Sequence, residues 1–144
     1  MIYKYKIIRE KNEPFYDMFI HSSKDVEGVV RKILNENLDF VTEKSLALYL
    51  NNANKVIGYS DISHGGLTST VVDIRIIAKY AIDTLSTAVI LVHTHPSDKC
   101  TPSMKDERIT NDIKRGLDTL NIKLLDHVII SDTNCYSFSD NGLI

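Results

Sequence analysis

The run Thr87-Ala88-Val89-Ile90-Leu91-Val92 is uncharged, rich in β-branched side chains, and followed at once by His93-Thr94-His95-Pro96. An apolar run this short, with no polar alternation, is the pattern of a strand buried on both faces. Such strands lie in the middle of sheets covered by helices. The run therefore commits the chain to a layered α/β arrangement with helices before and after it. Pro96 has no backbone donor to give a ladder, so the strand stops there and a stiffened loop begins.

The flanking sequence supplies those helices. After Ser22 and Ser23, both suited to capping, Val26, Val29, Val30, Ile33 and Leu34 recur at one-sided helical spacing, and Asn35 to Asn37 end the pattern. Asp73 is placed to cap a second helix carrying Ile76, Ile77, Tyr80, Ala81 and Leu85. Ser103 starts a third with Ile109, Ile113, Leu117 and Leu120 on one stripe, which Gly116 weakens modestly.

Strands fill the intervals. Ile2 to Ile8 alternates and carries lysines, as an edge strand does, and Pro14 breaks any helix between Lys11 and Ile20. Ser45 to Leu50 presents Leu46, Leu48 and Leu50 on one face. Asn51 to Asn54 reads as a turn and Lys55 to Ile62 as the returning strand, before His64-Gly65-Gly66 interrupts the pattern. Ile122 to Ser131 is a further apolar strand, Asp132-Thr133-Asn134 a turn, and Cys135 to Phe138 a last short strand. The order β-α-β-β-α-β-α-β-β predicts one α/β domain over residues 1–144, a mixed β-sheet flanked by helices.

The loop after the central run concentrates chemistry. His93 and His95 are two apart at a strand end and so share a face, as two ligands of one ion must. Ser103 and Asp106 are three apart at a helix start and share a face too. If the loop folds back, His93, His95 and Asp106 can hold one zinc ion and leave a position for water, the arrangement of a catalytic site. The structural alternative for Ser103-x-x-Asp106 is a capping box, which does not exclude ligation. Cys100 is either a fourth ligand that would close the site or an ordinary loop thiol. Cys135 reads as core and His21 as surface. His127 reads as a satisfied core histidine or a partner of the ligands, and His64 as a loop residue.

The formal charge of −2 gives nucleic acid no general attraction. No segment has the roughly 20 apolar residues that cross a bilayer. Met1 to Lys6 alternates apolar and charged residues and is not a secretory segment, and only two cysteines are present, so a reducing cytoplasm is expected.

His93-x-His95-Pro96 followed by Ser103-x-x-Asp106, with seven residues between His95 and Ser103, resembles the JAMM (MPN/JAB) metallopeptidase motif. Ala88 to Ser97, Thr101-Pro102-Ser103, Leu124 to Ile130, Tyr136-Ser137-Phe138 and Gly142-Leu143 are similar to bacterial RadC-like proteins. The likeness runs from about Glu43 to the C-terminus.

The resemblance implies a JAB/MPN-like fold with cytidine-deaminase-like layering. It implies zinc held by His93, His95 and Asp106, Glu43 as general acid/base, Ser103 steadying an oxyanion, and hydrolysis of peptide or isopeptide bonds. It also carries a DNA-repair association, and a non-catalytic interaction module is the third alternative. Thr94 stands where RadC-like proteins usually have asparagine, and Asp98 where they have glycine, so Asp98 is expected to add a carboxylate near the ion. Asp73-Ile74-Arg75 replaces a usual Pro-Arg-Glu, and the helix-hairpin-helix region of longer relatives is not recognised before the first helix.

Overall fold

The computed structural model of the chain describes residues 17–34, 43–64 and 72–144. The expected strand Ile2 to Ile8, the helix stop at Asn35 to Asn37 and Gly65-Gly66 lie outside the described residues. Within them the order is α1 (Ser23–Leu34), β1 (Lys44–Leu50), β2 (Val56–His64), α2 (Ile74–Asp83), β3 (Ala88–Thr94), α3 (Met104–Asp118), β4 (Lys123–Ile130) and β5 (Cys135–Ser137). The strands form one mixed sheet in the order β2-β1-β3-β4-β5, with β3 antiparallel to β1 and parallel to β4. This is the expected α/β arrangement, and the uncharged run lies at the sheet's centre.

Each face of the sheet has its own core. Val26, Val29 and Val30 of α1 pack on Leu46, Leu48, Leu50, Ile90 and Val92. On the other face Ile77 and Ala81 of α2 and Ile113 and Leu117 of α3 pack on Ala47, Tyr49, Val89 and Leu91. Thus β1 is buried on both sides, not only along its Leu46-Leu48-Leu50 edge, because helices cover both layers.

The helix ends differ from the apolar count. α2 stops at Asp83, and Leu85 leaves the stripe: its φ is 53° and it is 83% exposed. Ser86 N–H donates to Ala81 and Leu85 N–H to Ile82, a left-handed terminus that closes the last carbonyls. α3 ends the same way through Asn121, with φ 55°, so Leu120 also falls outside the stripe and is exposed. Gly116 is a contact rather than a mere weakness: a Cβ there would clash with Ile74 Cδ1.

The pairing of β3 with β4 slips by one residue. Val89 pairs with Leu124, but Ile90 pairs with Asp126, so Leu125 is the extra residue. A period-two strand changes phase at such a bulge. Leu124 faces α2 and α3, Leu125 and Val128 face the α1 side, and His127 is returned to the α3 side beside Leu91.

Candidate metal centre

Three elements meet where β3 ends. The β1–β3 register sets Ser45 opposite His93, which carries Glu43, the residue just before β1, to the end of β3. Thr94 ties these ends together, its Oγ1 accepting from Lys44 N–H at 2.9 Å. His93 continues the row of Val89 and Leu91 toward α3, and His95 follows two residues on. The His93 and His95 rings lie edge to face with centroids 4.8 Å apart.

α3 brings the carboxylate. Its buried stripe is Asp106, Thr110, Ile113 and Leu117, so the polar end of an otherwise apolar face points at the histidines. Asp106 Oδ1 is 3.1 Å from His93 Nδ1, and Oδ2 is 3.7 Å from His95 Nε2. The capping box is present as well: Ser103 N–H and Oγ–H both donate to Asp106 Oδ2 at 2.7 Å, and Ser103 Oγ accepts from Asp106 N–H. Burial pushes the Asp106 pKa up, but hydrogen bonds from His93 and Ser103 outweigh it. They hold the carboxyl well below the usual range, so it is ionised at neutral pH.

The remaining atoms favour a cation. His95 Nδ1 lies 2.9 Å from the Lys99 carbonyl, which as an acceptor fixes the ring proton there and leaves the Nε2 lone pair facing Asp106. His93 Nε2 is buried without a hydrogen-bond partner among the described residues, 3.7 Å from Glu43 Oε2. One ligand atom each from Glu43, His93 and His95 lie within 4.8 Å of one another, a group that could hold a metal ion. Two imidazoles beside two carboxylates, with an orphaned nitrogen among them, fit a divalent cation. The group lines a cleft of about 300 Å³, together with Ser45, Ser103, Asp106 and His127.

Other expectations separate here. Cys100 is buried against Ile129 and Phe138, in the manner of a structural thiol. Asp98 does not face the centre, contrary to expectation. Ser131 Oγ and Thr133 Oγ1 donate to its carboxylate at 2.9 and 2.7 Å, so it ties the loop after His95 to the β4–β5 turn. Those donors hold its carboxyl below the usual range. Cys135 is half-buried against the α1-side core, and His21 is exposed.

His127 is only half satisfied. It is 1% exposed and stacks on Phe138, with centroids 4.5 Å apart. Its Nδ1 meets Thr110 Oγ1 at 2.6 Å, while Nε2 has no partner among the described residues. Burial pushes its pKa down to about 3, so the ring is neutral. Ser45 and Thr110 carried no signal in the sequence. The i, i+4 spacing of Asp106 and Thr110 on one helix face could have drawn attention to Thr110.

The chain matches the RadC-like JAB domain over residues 20–143 and belongs to that family. Within it, the chain is 41% identical over 124 residues to a UPF0758 protein of Flavobacterium johnsoniae, covering 86% of this chain and 53% of that one. It is 37% identical over 107 residues to a UPF0758 protein of Porphyromonas gingivalis, covering 74% and 47%. A UPF0758 protein of Streptococcus sanguinis is 35% identical over 114 residues, covering 79% and 50%. The chain thus spans about half the length of these curated relatives. No described helix is long and apolar enough to cross a membrane.

Proposed function

We propose that this domain is a zinc-dependent hydrolase of peptide or isopeptide bonds. The observation that carries the reading is the meeting of His93, His95, Asp106 and Glu43 in one cleft, with His93 Nε2 buried and unpaired. His93, His95 and Asp106 would hold the ion, for which two imidazoles and one carboxylate suit zinc. When bound, zinc lowers the pKa of a water toward neutrality and polarises a carbonyl.

The chain's own residues do the rest. Glu43 takes a proton from the attacking water and returns it to the leaving amine, a role worth about 10² to 10⁴ in rate. Ser103 donates a hydrogen bond from its hydroxyl to Asp106 at rest and would turn that donor toward the developing oxyanion. The first turn of α3 adds its partial positive charge on the same side.

Glu43 Oε2 is 3.7 Å from the unpaired His93 Nε2, and ligand atoms of Glu43, His93 and His95 lie within 4.8 Å of one another, which favours a second reading in which Glu43 itself ligates. Metal content decides between them. Under the proposal His95→Ala and Asp106→Asn lose zinc, whereas Glu43→Gln keeps it and fails to turn over. Zinc lost from Glu43→Gln but kept in Asp106→Asn would establish the second reading. Equal zinc in wild type and His95→Ala would remove the site. Hydrolysis is tested with isopeptide-linked and linear peptides, and no cleavage of any of them by the zinc-loaded protein would overturn it.

A further inference from the structure

Three buried side-chain polar atoms have no hydrogen-bond partner among the described residues, Ser45 Oγ, His93 Nε2 and His127 Nε2, and all three residues line the same cleft. The candidate centre accounts for His93. It does not account for His127, which sits deeper on β4.

The proton on His127 can be placed by counting donors. Thr110 Oγ1 has one proton and donates it to the main-chain oxygen of Asp106 at 2.7 Å. A carbonyl oxygen can only accept, so in the 2.6 Å contact with His127 the threonine oxygen is the acceptor and Nδ1–H the donor. The neutral ring's single proton is then on Nδ1, and Nε2 carries a bare lone pair. The ring is clamped between Phe138 and His93, nearly parallel to both at 15° and 18°, so the direction of that lone pair is fixed. A buried acceptor left unmatched is costly and uncommon in a folded chain.

We infer that His127 is a substrate-binding residue whose Nε2 accepts a hydrogen bond from an N–H of an amide-bearing ligand seated in the cleft. The acceptor role follows from the surroundings of the ring. The class of ligand rests on the hydrolase reading above. Thr110 is the positioning residue, because its proton donation to Asp106 selects the tautomer that exposes the lone pair.

The test uses the whole chain with its histidine ring nitrogens isotope-labelled. Nitrogen chemical shifts distinguish a protonated ring nitrogen, a bare one and one accepting a hydrogen bond. In the free protein the His127 signals should show Nδ1 protonated and Nε2 bare. N-methylacetamide, which has an N–H, should move the Nε2 signal toward the hydrogen-bonded position. N,N-dimethylacetamide, which has none, should not.

Thr110→Val should redistribute the proton between the two nitrogens. His127→Phe keeps the stacked aromatic and should retain fold and zinc while abolishing the difference between the two amides. A proton found on Nε2, or equal response or no response to the two amides, would overturn the inference. Zinc content of His95→Ala, measured separately, reports on the hydrolase reading alone, so the two failures are distinguishable.

Discussion

At the scale of single residues, the site is a set of atoms each held by another atom nearby. His95 is oriented through the Lys99 carbonyl, Asp106 through Ser103, and His127 through Thr110. Asp98 works at one remove, since its carboxylate anchors the loop that contains Lys99. Asp98→Ala should therefore weaken zinc binding about 10- to 100-fold without removing a ligand, the usual effect of losing an outer support. Zinc titration with a competing chelator measures it, and unchanged affinity would show that the loop holds itself.

Cys135 provides a second prediction at this scale. Burial pushes its thiol up to about 12, so at pH 8 almost none of it is thiolate. Native protein should resist alkylation there, and the rate should keep rising with pH past 9, where an unperturbed thiol levels off. The sign for folding agrees. A raised pKa disfavours the thiolate in the folded chain, so any contribution to stability is present below the unfolded pKa and declines as pH rises through the folded value. Mass spectrometry of the native and denatured protein after alkylation checks the rate.

At the scale of elements, the helix termini set the clearest tests. Leu85 holds φ 53° with an exposed side chain, a conformation that costs an L-residue roughly 1–2 kcal/mol and glycine very little. Leu85→Gly should raise stability by about 0.5–1 kcal/mol after the entropy of the unfolded glycine is set against it. Urea denaturation would show this as a higher midpoint at unchanged slope. Gly116→Ala should gain little alone, because its Cβ meets Ile74 Cδ1. Introduced into Ile74→Val, which removes that atom, it should recover the roughly 1 kcal/mol by which alanine exceeds glycine in a helix.

These elements also show what the sequence could convey. The central strand, the capping box and all three described helices were legible, because apolar spacing and cap chemistry are local. Leu85 and Leu120 misled because they continue the apolar count after the backbone has already turned left-handed. The slip at Leu125 was invisible, since a period-two count carries no mark of an extra residue. His93, His95, Ser103 and Asp106 were readable from one loop. Glu43 was marked only by resemblance, and Ser45 and the Thr110–His127 contact depend on strand register that spacing does not reveal.

At the scale of the whole molecule, the candidate centre joins the end of β3 to the start of α3 through His93, His95 and Asp106, and brings both beside Glu43 from just before β1, far earlier in the chain. An ion bound there stabilises the folded state by mass action, by about 2.7 kcal/mol at one hundred times its dissociation constant. For a domain of this size that is on the order of 8 °C in Tm. Thermal unfolding should show the rise with zinc, its reversal by chelator, and no rise in His95→Ala. A wild-type Tm indifferent to both zinc and chelator would separate folding from metal binding altogether.

The slip at Leu125 has a consequence for how this sheet can vary. On both sides of it the paired residues share a face, Leu124 with Val89 and His127 with Leu91, so a chain shortened by Leu125 alone would pair without interruption and keep the imidazole in the wall of the cleft. Insertions and deletions are usually absorbed by surface loops, but here the middle of the sheet holds a residue whose loss would thin the aliphatic layer beneath α1 while leaving the chemistry of the cavity in place.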